Sequence, residues 1–482
     1  MKVSLNWIKE FLNTDELDAV EVAEMLTMSG TEVEKVEPVG SKFDRIIIGQ
    51  IKSFTRHPNA DKLSLCRVDS GDRELSIVCG ADNFKEGDKV ALALEGAEIG
   101  TFKIKRSKIR GEYSEGMMCS EAELGLSSES EGIMILDNKY SVGADFAGTV
   151  GLDDVVFDLE ITPNRPDCLS IIGIAREISA MTGHELIIPE FDTDRKINKD
   201  RDLIIKIEDT DLCPRYSAML FEDIPVEDSP VWLKNRLILC GIRPVDLIVD
   251  ITNYVMLETG QPLHAFDRDL LSSNIIIVRK ARAGEVIKTI DDSVRKLDKD
   301  ALLITDEKKA VALAGIMGGK DTGINSGTRN VLLESANFNG PSIMGTSQKL
   351  GLRSEASNRF EKKIDPEMTV FAIERFNKLL TKIIGYTNKN GIYDNYKKTD
   401  RQRDLVLRTE KVEQVLGQPI AIDRISNILK SLGIKNIVKK DTLEVKVPSF
   451  RFEDLEREID LIEEVARIYG YDNIISRPTQ LS

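Results

Sequence analysis

The 482-residue chain is 41% hydrophobic and 30% charged, a size that predicts about three or four domains, each able to bury a core. Its 66 Lys and Arg stand against 81 Asp and Glu, a net charge of −15, which excludes a surface uniformly adhesive to nucleic acid but allows one local basic patch. No apolar run reaches the ~18–20 residues that span a bilayer, the start MKVSLNWIKEF lacks a signal-peptide layout, and six scattered cysteines with His57, His184 and His264 argue against a disulfide framework, a zinc knuckle or a multi-histidine metal centre.

The chain opens with two short helices, one capped by Ser4 and running to Leu12, the other capped by Asp15, running to Met28 and stopped by Gly30. From Ile46 to Leu136 the texture becomes β: short runs such as IIIGQIKSF and KVALAL alternate with turns, which predicts a small barrel of five strands. His57, beside Pro58, is expected to shape a turn. After Gly151 come a strand (VVFDLEI), a turn-rich loop (TPNRPDC) and an amphipathic helix from Leu169 to Met181. This stretch can pack on the opening helices, with the barrel inserted between them. Residues 200–395 mix strands and helices in an α+β pattern, and residues 389–403 read as a polar linker. Two short helices around Gly417-Gln418-Pro419 follow, with Ile425, Ile428, Leu429 and Leu432 on the buried face of the second. Then come a strand and a last helix whose stripe is Leu455, Ile459, Ile462, Ala466 and Tyr469.

Five stretches in order carry a family resemblance: MKVSLNWIKEF; HPNADKLSLCRVD with IVCGADN and KIRGEYSEGMMCSEAELGL; ITPNRPDCLSIIGIARE; LIVDITNYVMLETGQPLHAFD with AGIMGG, VLLESANF and GLRSEASNRFEKKIDP; and DLEREIDLIEEVARIYGYDNI. Together they resemble the β subunits of bacterial phenylalanine–tRNA ligases over essentially the whole chain. The resemblance implies an α+β multidomain architecture. Its parts are an amino-terminal α+β domain (1–38 and 151–195), an inserted oligonucleotide-binding β-barrel that binds tRNA (39–150), a central α+β editing domain (200–395) and a final DNA-binding-like domain of two helices, a strand and a helix (401–476). Family members continue into a catalytic-like domain and an anticodon-binding domain that these residues lack, so a fragment or a shortened form is expected.

In KIKRSKIR, Lys103, Lys105, Arg106, Lys108 and Arg110 alternate as on one strand face, a pattern suited to a phosphate backbone; a lysine-blunted edge strand explains the same letters. Nearby aromatics are sparse, Phe102 and Tyr113 alone. The resemblance places hydrolytic editing of tyrosyl-tRNA(Phe) in the central domain, with His264, Glu334 and Asn253 in catalytic roles. Arg243, Ala314, Gly315, Ser354 and Ala356 would then bind the substrate. Such a site answers a chemical problem, because an apolar pocket rejects an added hydroxyl by only about 10²-fold. Without the resemblance, His264 reads as a satisfied histidine and Glu334 as a surface charge. The resemblance also implies Mg²⁺ at Asp454, Asp460, Glu463 and Glu464, shared with an α subunit in an α2β2 heterotetramer that consumes ATP, the aminoacylation site being on the α subunit; a solvated acidic helix face explains the same residues. A non-catalytic tRNA-binding scaffold and a free-standing deacylase remain alternatives.

Overall fold

The architecture comes from a computed structural model that describes residues 1–128, 131–189, 197–198, 201–397 and 402–475. Strand Val155–Glu160 lies between strands Lys2–Ser4 and Glu32–Pro38 in an antiparallel sheet. Ser4 caps helix Leu5–Leu12 by accepting from the Trp7 amide. The second helix, Ala19–Met28, is capped by Asp18 rather than Asp15, because the Asp18 carboxylate reaches both the Val20 and Glu21 amides. Helix Ile171–Thr182, capped by Ser170 and ended by left-handed Gly183, packs on both opening helices. Pro38 and Val155 are cross-strand partners, so the chain leaves this sheet for the barrel and returns beside its exit.

In the barrel-like sheet the strand order is Gly116–Met118, Lys89–Leu94, Ile46–Arg56, Ser64–Asp69, Glu74–Cys79. A sixth strand, Ile135–Leu136, also pairs with Lys89–Leu94, one more than the expected five. The two edges meet where Glu115 N donates to Ser76 O (2.9 Å) and Val78 N to Ser114 Oγ (3.1 Å). His57 does shape a turn: its Nδ1 accepts from the Asn59 amide and its Nε2 lies 3.1 Å from Ile109 O.

The middle of the chain is built from two sheets. Strands Leu263–Asp267, Val331–Asn337, Arg215–Phe221 and Ile392–Tyr396 form one, all antiparallel. Its Met219, Phe221, Val331 and Leu333 side chains join a core with the helices Leu247–Thr259 and Met368–Ile384. The alternate residues Tyr216, Ala218, Leu220, Leu332 and Ala336 face a second sheet containing Ile275–Lys280, Leu302–Thr305 and Ala310–Leu313. By the same alternation Glu334 points between the sheets. Residues 392–396, read above as linker, are thus an edge strand. Their polar letters are engaged at long range, since Asp394 takes a bidentate pair from Arg215 and a hydrogen bond from Ser217.

The final unit is not two helices, a strand and a helix. It carries a three-stranded sheet in which Thr442–Val447 lies between Arg403–Arg408 and Lys435–Val438. The last helix starts at Glu458, so Leu455 lies in the turn before it and Ile459 in its first turn is 42% exposed. Leu461, Ile462, Val465 and Ala466 make its buried face. Among the described residues no helix is long and apolar enough to cross a membrane.

Candidate functional site

A cavity of about 250 Å³ opens between the two central sheets, lined by Asn253, His264, Gly315, Met317, Gly318, Glu334, Ser354, Ala356 and Phe360 among others. Local chemistry places each of them. Asp246 caps helix Leu247–Thr259, which carries Asn253, and left-handed Gly260 ends it. The chain then turns through Gln261, held to Ala336 O at 2.8 Å, into the strand that carries His264. His264 and Glu334 face each other as cross-strand partners. Ser354 caps helix Glu355–Phe360 and donates to Ile316 O (2.9 Å), fastening the 315–318 loop to that helix.

Glu334 is buried, and Tyr216 Oη donates to its Oε2 at 2.7 Å. Burial pushes its pKa up to about 8, only partly offset by the tyrosine hydrogen bond. The neutral acid therefore prevails at pH 7 by roughly ten to one. Burial acts on His264 in the opposite sense, lowering its pKa to about 4, so the imidazole is neutral. Its ring packs edge-on against Phe266, centroids 4.5 Å apart. Gly318 is what lets the ring sit there: a Cβ at that position would lie 2.5 Å from His264 Cε1. Left-handed Gly315 (φ +65°) plays the same part against Phe360 and Phe338.

Of the residues named from the sequence, His264, Glu334, Asn253, Gly315, Ser354 and Ala356 converge on this cavity. Ala314 is buried beside it without lining it, its amide bonded to Leu302 O. Arg243 does not belong here. It lines a different cavity, formed by Glu121, Gly125, Leu126, Met134 and Ile135 of the barrel region and the helix Val231–Leu239 with the turn after it. Tyr216 does not stand out in the sequence, and Gly318 does so only as a letter of AGIMGG, because what defines both is contact with residues distant in the chain.

The five cations of KIKRSKIR are all exposed, but they do not lie along one strand. Lys103 belongs to a short hairpin with Glu98–Ile99, Ile104 turns inward, and Lys108 lies on a second hairpin, Ser107–Ile109 with Glu112–Ser114. Arg110 (φ +51°) and Gly111 (φ +109°) make its tight turn. Arg106 and Lys108 flank the Tyr113 ring at 4.6 and 5.5 Å, an exposed aromatic between cations.

The four carboxylates near the end do not fit a shared Mg²⁺ site as they stand. Glu464 accepts from Arg451 (2.8 Å) and Arg467 (2.6 Å), which, against the cost of burial, hold its pKa well below the usual carboxylate range. Asp454 is paired with Arg451 at 2.7 Å, Asp460 caps the helix by accepting from the Glu456 and Arg457 amides, and Glu463 is exposed. Among the described residues the one close group of potential metal ligands is Asp167, Cys168 and Glu177. Its two carboxylates are already occupied by Arg165.

Three domain families match in chain order: a tRNA binding domain over residues 46–145, a B3/4 domain over 212–385 and a tRNA synthetase B5 domain over 405–471. They define a multidomain tRNA synthetase chain whose cavity lies within the B3/4 region. The phenylalanine–tRNA ligase beta subunit of Geobacter metallireducens is 46% identical across 98% of this chain and 59% of its own length. That of Pectobacterium atrosepticum is 43% identical across 100% of this chain and 60% of its own. An N-terminal fragment of the Pyrococcus horikoshii phenylalanyl-tRNA synthetase beta-subunit aligns over 98% of this chain and 99% of its own, at 12% identity and a TM-score of 0.44. The chain is thus similar to phenylalanine–tRNA ligase β subunits over nearly its whole length and spans about three fifths of the length of these relatives.

Proposed function

We propose that this chain supplies tRNA binding and hydrolytic editing to a phenylalanine–tRNA ligase, cleaving tyrosine from mischarged tRNA(Phe) in the central cavity. Aminoacylation with ATP and Mg²⁺ is then the work of an α partner in an α2β2 assembly. The observation that carries the editing reading is the buried acid in the cavity wall: Tyr216 takes one Glu334 oxygen, and no described residue is seen to bond the other. A neutral carboxyl there meets a phenol hydroxyl with a matched hydrogen bond and offers nothing to a phenylalanine ring, which supplies the discrimination an apolar pocket lacks. The cavity's size agrees. At about 250 Å³ it falls below the ~300–1,000 Å³ of drug-sized sites and suits one amino-acid side chain.

In the reaction water adds to the aminoacyl carbonyl and the ester C–O bond breaks, releasing tyrosine and the ribose hydroxyl. His264, neutral and weakly basic, orients the water through a ring nitrogen rather than storing its proton. That proton is relayed by the free hydroxyl of the terminal ribose, which takes it up while giving its own to the leaving ester oxygen. Asn253 and the Gly315–Gly318 turn position the ester. The test is hydrolysis of tyrosyl-tRNA(Phe) and phenylalanyl-tRNA(Phe) by the chain, alone and with the α partner. Selective tyrosyl cleavage, lost in Glu334→Ala and in Ala356→Trp, which fills the cavity, is the expected result. Cleavage of neither ester under both conditions overturns the reading in favour of a tRNA-binding scaffold.

A further inference from the structure

Tyr216 is fully buried on the strand Arg215–Phe221, in register with Ala336 and therefore diagonal to Glu334 on the same sheet face. Ala218, directly opposite Glu334, is small and leaves the space in which the tyrosine and the carboxyl meet. The tyrosine ring sits in a core with Phe338, Phe360 and Leu313, so its hydroxyl has a fixed position. We propose that Tyr216 is a positioning residue for substrate choice: by donating to Glu334 Oε2 it turns Oε1 toward the cavity as the atom that meets the ligand's para-hydroxyl. The proposal rests on the editing reading above.

The chemistry follows from counting protons. Burial, then the neighbouring Glu334, hold the Tyr216 phenol well above its ordinary pKa, so it always brings a proton. That proton points at Oε2. The carboxyl's own proton is accordingly carried on Oε1, on the cavity side, and Glu334 presents an O–H to the ligand rather than a bare acceptor. The site then reads the ligand's hydroxyl oxygen. The other titratable groups around Glu334 do not compete for this role. His264 on the neighbouring strand is neutral, burial raises the Cys213 thiol well above its ordinary value, and Glu355 at the cavity rim is paired with Arg359 at 2.6 Å.

Removing the hydroxyl in Tyr216→Phe frees the carboxyl to rotate and deprives its ionised form of a donor. For tyrosyl-tRNA(Phe) the KM rises about tenfold, the size of one missing hydrogen bond, with a smaller change in kcat. The alkaline limb of the pH profile moves upward, and the slow cleavage of phenylalanyl-tRNA(Phe) stays as it was. Incorporating 3-fluorotyrosine at position 216 keeps the packing while making the phenol a stronger donor, and moves the same limb downward. The proposal fails if neither change shifts the tyrosyl KM and the limb, or if Tyr216→Phe slows both esters equally. Should the parent chain cleave neither ester, the editing reading fails by itself. The Tyr216–Glu334 coupling is then decided by the infrared carbonyl band of the Glu334 acid, whose titration must move upward in Tyr216→Phe and downward with fluorotyrosine.

Discussion

At the residue scale the cavity rests on two side chains whose protonation is set by burial in opposite senses. Glu334 is raised from 4.5 to about 8, so the folded chain holds a proton that the unfolded chain has lost. The stability drawn from it is fully present below about 4.5 and disappears as pH rises through 8. His264 is lowered from 6.5 to about 4, and its contribution is present above 6.5 and lost as pH falls through 4. Glu334→Gln, which keeps a neutral polar group of the same shape, should abolish the first dependence only. Thermal melts should show its stability relative to the parent growing from neutral pH through 8, while the acid-side loss from His264 persists; an unchanged difference across that range would mean that Glu334 is ionised at neutral pH. Glu334 and His264 are identifiable in the sequence through VLLESANF and QPLHAF, as members of a motif set. Their environment is not. That Tyr216 holds the acid, or that Gly318 makes room for the imidazole, depends on cross-strand neighbours distant in the chain.

Helices with a capping residue and a clear apolar stripe are legible, as with Ser4 and Leu5–Leu12, because their signals are local. Short or polar strands are not. Ile392–Tyr396 reads as linker since its Asp394 serves an arginine far away in sequence, and Arg403–Arg408 and Lys435–Val438 leave apolar residues such as Val406 and Ile437 exposed, so neither shows a clean buried face. The KIKRSKIR segment misleads in the other direction. Its alternation suggests one strand, whereas inward-facing Ile104 and the left-handed Arg110–Gly111 turn divide it between two hairpins. This sets two of the cations, Arg106 and Lys108, against the Tyr113 ring rather than all five along a line, and that geometry carries a prediction. Replacing Arg106, Lys108 and Arg110 by alanine should weaken tRNA(Phe) binding and lower the slope of log affinity against log salt by about 0.7–0.9 for each phosphate no longer neutralised. Filter binding across a salt series measures both quantities. A weaker affinity with an unchanged slope would locate the phosphate-binding cations elsewhere.

Across the whole molecule the first and last domains are joined by buried charge. Arg165, Asp167, Arg176 and Glu177 come from the loop before and the helix of Ile171–Thr182; Arg451, Asp454, Glu464 and Arg467 come from the final unit. Four cations thus meet four carboxylates. Arg467 bonds both Glu177 and Glu464, Arg165 reaches Glu177 at 2.6 Å, and the Arg176 guanidinium stacks on Phe450 at 4.1 Å. The central domain is tied in by Ser449 to Asp365 (2.6 Å) and Lys363 to Glu453 (3.1 Å). In the sequence, Asp454 and Glu464 look like hard oxygen ligands on an acidic helix; only the fold reveals arginines already bound to them. The two readings differ in what Mg²⁺ does. If the carboxylates clasp domains, calorimetry of the chain should show no Mg²⁺-dependent stabilisation that Glu464→Gln or Asp454→Asn removes. Arg467→Met should cost up to about 3–5 kcal/mol with or without the ion, since it takes from each of two buried carboxylates one of its two guanidiniums, leaving Glu464 to Arg451 and Glu177 to Arg165. A Mg²⁺ increment in the parent chain that vanishes in Glu464→Gln would instead make these groups ligands. The clasp would then have to open for the cation to enter, because every Glu464 oxygen is taken by a guanidinium.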